Sequence, residues 1–577
     1  MAKRAILLHA GEPSSVQRNI ARILEFFGVP WKFQVVEEFR SGAANLGDAA
    51  VFASINVTAD LITCAEPVNR LAAYGRLFFV YPGERSTLEH HATKAFCEAL
   101  GLSHRYLPSG EIRLSISKEQ PALTGPMTGL AVTARATHSL VAVAKEATES
   151  WSFESLITAG DAALFARLCL DGASIYFCGS TAIVDIDKPI HAGYFDVKDD
   201  FCDMVPLVLF IRQAFKGVAW EPQELGGCLI VDDPLIKKRY GCFNLENVRG
   251  LMRSYGFTTN IAFIPWNQHR TSRGAAEFFR NEADLFSLSI HGCDHTKAEF
   301  GETSPSILRA RARLAQDRMR GHRERTGIEH EPIMVFPQGV FSSECPGVLK
   351  ENDFLAAVNT EIAPIHAKTE TTRIRDVWDI AIMSYGSFAI FTRRYAKHGI
   401  ENFAFDLLLG KPCLITTHHD FFRDDGSLVI ELMTKLNALK SEIKWRSLGG
   451  VIKRACRIRE SDEDILDVEM YGSELILRNP SNRAISARVQ KRESGADSVA
   501  RILVGERDVD WNFSKDRVIF RVELPPLSET HLQMKYRQKS EPEMARRGLG
   551  YELSVGARRV LSEIRDEYHS RRSLIVG

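Results

Sequence analysis

The chain has no surplus of charge: Lys plus Arg and Asp plus Glu each total 73, so the formal net charge is zero. Without a broad positive field, nothing draws a polyanion onto the whole surface, which argues against nucleic acid or anionic membrane as a general partner. Long hydrophobic runs are also missing. The apolar stretch nearest the N-terminus is only Ala5–Leu8, shorter than the core of a secretory signal, and no segment has the length of a membrane span. The eleven cysteines are odd in number and scattered, with no Cys-x-x-Cys pair, so reduced buried thiols and a cytoplasmic location are expected. There is no G-x-G-x-x-G or P-loop to cradle a nucleotide, no internal repeat and no low-complexity tract. No G-x-C-x-G elbow surrounds Cys64 or Cys97, which removes the usual amidotransferase nucleophile.

What is present is ordinary globular sequence, 45% hydrophobic and 25% charged, over 577 residues. That length implies several hydrophobic cores. Residues 1–215 alternate apolar strands (Ala5–Leu8, Lys32–Val36, Ala50–Ser54, Leu77–Tyr81) with helical spacing such as Val16–Phe27, closed by Gly28. This predicts an α/β region with a parallel sheet, flavodoxin-like or amidotransferase-like in outline. From Leu229 the alternation restarts. Strand Leu229–Val231 precedes a helix Leu245–Tyr255, capped by Asn244 and stopped by Gly256. Strands Thr259–Ile264, Leu285–Ile290, Ile333–Phe336, Phe354–Asn359, Ser387–Phe391 and Cys413–Thr417 follow, with a long basic helix from Pro305 to Arg325. A (β/α) barrel over 216–457 is expected. Residues 458–540 carry short alternating strands separated by turn residues, as in a small β-sandwich, and 541–577 form a charged tail with a helix near Ala557–Tyr568.

Four segments at the ends of predicted barrel strands hold the chemistry, because a (β/α) barrel builds its site there. Asp232-Asp233-Pro234 leaves a buried strand as a carboxylate pair, which repels itself unless a positive charge lies close. His291-Gly292-Cys293-Asp294-His295 spaces two imidazoles four residues apart, so that both can reach one cation. Pro337-Gln338-Gly339 is a strand end that turns sharply, and His418-His419-Asp420 ends the last strand.

In this order the segments resemble the motifs of NodB-type polysaccharide deacetylases, the family 4 carbohydrate esterases, over about residues 222–455. The resemblance implies that Asp233, His291 and His295 hold one divalent metal ion, with Zn2+ expected from the ligand types. It implies a water attacking an acetyl carbonyl, with Asp232 as base and His418 or His419 as acid. Backbone N–H groups of Pro337-Gln338-Gly339 would steady the oxyanion. The substrate would be an acetylated amino-sugar polymer or oligosaccharide. Three departures stand out. Pro234 replaces a glycine, and Val335 and Gln338 replace the arginine and the aromatic of the third motif. Either another cation orients Asp232, for which Arg373 and Arg375 are candidates, or the base is tuned differently. Adjacent strand residues face opposite ways, so only one of His418 and His419 enters the site, and His418 is preferred.

Each segment also has a plainer reading. The histidines suit a surface pair, Asp232 a helix cap, and His418-His419-Asp420 a hydrogen-bonded loop. The arginines of the Pro305–Arg325 helix read as a solvated face, Cys293 as filler, and Trp266, Phe341 and Trp378 as core before sugar platforms. The rival functions are a carbohydrate-binding scaffold without turnover, and an amidase or glycoside hydrolase on a similar barrel.

Overall fold

A computed structural model describes residues 2–41, 48–62, 77–83, 87–136, 139–144, 151–170, 173–190, 193–365, 372–461, 465–538 and 548–576. Cys64 and residues 541–547 of the tail lie outside them. The chain divides into two compact units, residues 1–188, 196–221 and 439–441, and residues 189–195, 222–438 and 442–577.

The first unit begins as its pattern predicts. Strands Arg4–His9, Trp31–Val35, Ala49–Ser54 and Leu77–Tyr81 pair in parallel, in the order 31–35, 4–9, 49–54, 77–81. Helix Ser15–Phe26 starts at Ser14, whose side chain accepts from the Gln17 N–H while Gln17 caps back. The rest corrects the expectation of a parallel sheet. Strand Ala173–Cys178 joins Leu77–Tyr81 in parallel, but the sheet then runs antiparallel through Ala162–Leu170, Trp151–Ala159, Gly110–Ile116 and Ala131–Ala136. Gly160-Asp161 alone connects Trp151–Ala159 to Ala162–Leu170. A two-residue link makes a hairpin and cannot hold a crossover helix.

The second unit carries a nearly closed barrel-like sheet of parallel strands. Its order is Ile390–Thr392, Ala356–Asn359, Ile333–Val335, Phe286–His291, Thr259–Phe263, Leu225–Asp232, Cys413–Thr417, Arg394–Tyr395. The two edge strands, Ile390–Thr392 and Arg394–Tyr395, are consecutive in the chain. One short stretch thus supplies both edges of the nearly closed sheet, with Arg393 between them. Cys228, Ile230, Ala262, Val335, Val358 and Leu414 fill one core cluster of this unit, as parallel strands buried on both faces require.

After the barrel, two further sheets turn their inner faces to one shared core. Val468, Val489 and Val522 come from one, and Leu477, Ile502 and Leu532 from the other. A buried charge cluster ties this part to the barrel helix Cys345–Glu351. Glu493 accepts from Lys350 at 2.8 Å, from Lys491 at 2.6 Å and from the Tyr536 hydroxyl at 2.6 Å. Burial alone would raise the Glu493 carboxyl; the two ammonium groups outweigh it and hold the acid below its ordinary range.

Glu493→Gln would leave two buried ammonium groups without a countercharge, an expected loss of about 3–5 kcal/mol, read as a fall in melting temperature. Because the folded carboxyl titrates below its unfolded value, its contribution is present above the ordinary glutamate pKa and disappears as pH falls through the folded one. The melting gap between wild type and variant should therefore narrow on acidification.

Candidate metal centre

Three of the four segments place a non-glycine residue in the left-handed backbone region: Asp233 at φ 78°, His295 at φ 56° and Gln338 at φ 60°. Each such residue costs about 1–3 kcal/mol unless its surroundings hold it. Here they do. Glu299 accepts the backbone N–H groups of Cys293, Asp294 and His295 at 2.8–3.1 Å. Gly292, at φ 66°, lies so close to Glu299 and Pro337 that a Cβ would fall 2.0 Å from the carboxylate and 2.5 Å from the ring. Arg318 pairs with the buried Asp294 at 2.6 Å, and the buried Arg309 pairs with Glu351. The helix Pro305–Thr326 therefore turns these two arginines inward, and its basic face is not simply solvated.

Held this way, Asp233, His291 and His295 offer ligand atoms that all lie within 4.8 Å of one another. Both imidazole Nε2 atoms face Asp233 Oδ1, at 3.5 Å from His291 and 3.1 Å from His295. That oxygen is buried and has no hydrogen-bond donor. His291 Nδ1 lies 2.9 Å from the Val335 carbonyl. In the neutral ring that contact keeps the proton on Nδ1 and leaves the Nε2 lone pair for a cation. Burial pushes the His295 imidazole down to about 4, so it is neutral and can also donate a lone pair. An orphaned carboxylate oxygen beside two available imidazole nitrogens fits a divalent cation, and the donor types suit zinc.

Asp232 lies on the other side of the same backbone turn. Arg393, 3% exposed, grips it with both arms at 2.7 Å. Burial would raise the Asp232 carboxyl; the guanidinium and the His291 imidazole more than offset this and hold it below its usual range. The cation that orients Asp232 is therefore Arg393, and not Arg373 or Arg375, which lie at the start of helix Ile374–Trp378. An Arg-Arg doublet following the run Ala389-Ile390-Phe391 was the available signal. Only barrel closure brings it to Asp232.

The two candidate acids separate. His418 acts electrostatically on both Asp232 and Asp233. His419 is turned elsewhere, edge-on to Tyr240 with 5.6 Å between ring centres, and with Nε2 3.8 Å from Asp566. In the third segment Pro337 has no N–H, and the Gly339 N–H is donated to the Phe336 carbonyl at 3.1 Å, which leaves Gln338 alone with a backbone donor not used inside the turn. Cys293 is buried, as a filler would be, while Phe341 and Trp378 are fully buried and unavailable to a sugar. Glu299 and Arg393 are residues around the site that sequence reasoning missed, and Arg318 is one that it read as part of a solvated face.

No protein-family model matches the chain, and there is no significant match among curated proteins. Solved structures do align with it. A family 4 carbohydrate esterase from Streptomyces lividans is 12% identical, with 37% of this chain and 88% of that one covered and a TM-score of 0.22. A CE4 family pseudoenzyme from Bacillus anthracis is 10% identical, covering 40% and 66%, with a TM-score of 0.26. A glutamine amido transferase from Methylobacillus flagellatus is 12% identical, covering 31% and 70%, with a TM-score of 0.19. These scores are all low, so the reading of function stands on the chain's own geometry.

Proposed function

We propose that this chain is a metal-dependent hydrolase that removes acetyl groups from an acetylated amino-sugar polymer or oligosaccharide. Its fold is read as a NodB-type distorted barrel followed by a β-sandwich, with boundaries near 215, 457 and 540. One juxtaposition carries the reading. A buried Asp233 oxygen without a donor faces two imidazole Nε2 atoms, and the preceding residue is a carboxylate clamped by a buried guanidinium.

A divalent cation bound by Asp233, His291 and His295 supplies Lewis acidity toward the acyl carbonyl. Asp232 is the base. Arg393 keeps it ionised and in a fixed plane, and each carboxylate oxygen retains a lone pair beyond the one given to Arg393. One of these accepts the proton of the attacking water. The Gln338 N–H is the backbone donor for the developing oxyanion. His418 gives a proton to the departing nitrogen, while His419 is committed to Tyr240 and Asp566.

The test is acetate release from acetylated glucosamine and galactosamine oligomers, with elemental analysis of each protein. His291→Ala should lose both metal and turnover. Asp232→Asn should keep the ion while kcat falls about 10²–10⁴-fold. Metal retained without acetate release would favour a binding scaffold, and release of a sugar fragment would favour a glycoside hydrolase.

Arg393→Lys keeps the charge but loses the two-armed fork. It should keep the ion, and its kcat should fall about 10–100-fold. An unchanged kcat would remove Arg393 from the mechanism.

A further inference from the structure

The C-terminal helix Leu549–Val576 meets the barrel with its polar side. Tyr551 donates its hydroxyl to Asp294 at 2.9 Å, beside the metal ligand His295. Glu563 takes both Lys237 and Arg270. Asp566 accepts from the Tyr240 hydroxyl at 2.7 Å, and Glu567 from the Gly241 N–H at 3.2 Å. Meanwhile Leu553, Leu561, Ile564 and Tyr568 are exposed. A helix docked for core burial alone would face the other way. This one is held by what its polar side chains find around the metal centre.

Each of these inward carboxylates and the Tyr551 hydroxyl has a partner, and Arg559 is the exception. It is 8% exposed, its Nε has no partner, and among the described residues no carboxylate forms an ion pair with it. Among the described residues its one hydrogen-bond partner is His295 Nδ1, 3.4 Å from Nη2, while Asp233 and Glu299 act on it electrostatically. That contact cannot serve in a loaded site. When Nε2 of a neutral imidazole binds a cation, Nδ1 carries the ring proton and is itself a donor. Asp233 would be engaged by the cation, and Glu299 is spent on three backbone N–H groups. The guanidinium lines a recess with Asp233, Tyr240, Asn267, Arg270, Ser562 and Glu563, the last of which is engaged by Lys237 and Arg270. A buried, permanently charged fork without an acceptor is completed by an anion.

We propose that Arg559 is an anion-binding residue of the metal centre, and that the acetylated sugar carries a carboxylate or a phosphate group that it receives. The substrate half of this inference rests on the deacetylase reading; the anion site does not.

Calorimetry with inorganic phosphate on the full-length, zinc-loaded protein tests the site. Wild type should bind phosphate, Arg559→Ala about tenfold or more weakly, and Arg559→Lys in between, all with equal zinc content. Equal affinities, or affinity lost together with zinc, would overturn the proposal. Acetate release is then compared for a neutral N-acetyl sugar, its 6-phosphate and a carboxylate-bearing counterpart. Wild type should prefer one charged form, which identifies the anion, and Arg559→Ala should lose that preference. A neutral substrate handled equally well by wild type, or an Arg559→Ala variant that is faster, would count against it. If no substrate releases acetate while phosphate still depends on Arg559, the deacetylase reading fails and the anion site stands. If acetate is released but phosphate binding ignores Arg559, the reverse holds.

Discussion

The two-armed ion pair between Arg393 and Asp232 is the interaction on which the centre depends. Two adjacent carboxylates at the end of one buried strand cannot both stay ionised without a compensating charge. Asp233 has imidazoles before it and Asp232 has the guanidinium, at 2.7 Å on both arms. Neither partner tolerates the other's removal, since a lone buried charge is far costlier than the pair. The pair is also a consequence of topology. The stretch Ile390–Tyr395 serves both edges of the sheet, so sealing the barrel and aiming Arg393 at Asp232 are one event.

Around that pair the loops are kept in unfavourable backbone conformations by buried polar partners. Glu299 gathers three successive N–H groups of the His291–His295 segment, and Arg318 neutralises Asp294 beneath it. The same geometry separates two neighbouring histidines. His418 acts electrostatically on the carboxylates, while the Arg239–Asn244 hairpin region and the last helix take His419.

Charge balance gives the site its asymmetry. Arg393 is matched by Asp232, Arg318 by Asp294 and Arg270 by Glu563. Among the described residues the buried Arg559 has no matching carboxylate, and it is contributed by a helix that leaves Leu553, Leu561, Ile564 and Tyr568 exposed. Such an arrangement makes sense when the helix serves the site, and less when it serves the core.

Local pattern alone determined the α/β alternation and the place of most parallel strands of the second unit, while the grouping of Asp233 with His291 and His295 came from the order of the motifs and the family resemblance they carry. Hydrophobic period and the four-residue histidine spacing are short-range properties, carried by the chain wherever it folds. The antiparallel half of the first sheet was half legible, since Gly160-Asp161 is too short for a crossover, yet pairing partners are set by distant strands. Tertiary structure alone decided the rest: that Arg393, and not Arg373 or Arg375, clamps Asp232, that Glu299 supports the ligand loop, that His418 and His419 part ways, and that a helix beginning at Leu549 delivers Arg559. In sequence these residues stand up to 264 positions from their partners. A charge's partner is set by which elements meet across the nearly closed barrel-like sheet, and no local periodicity encodes that meeting.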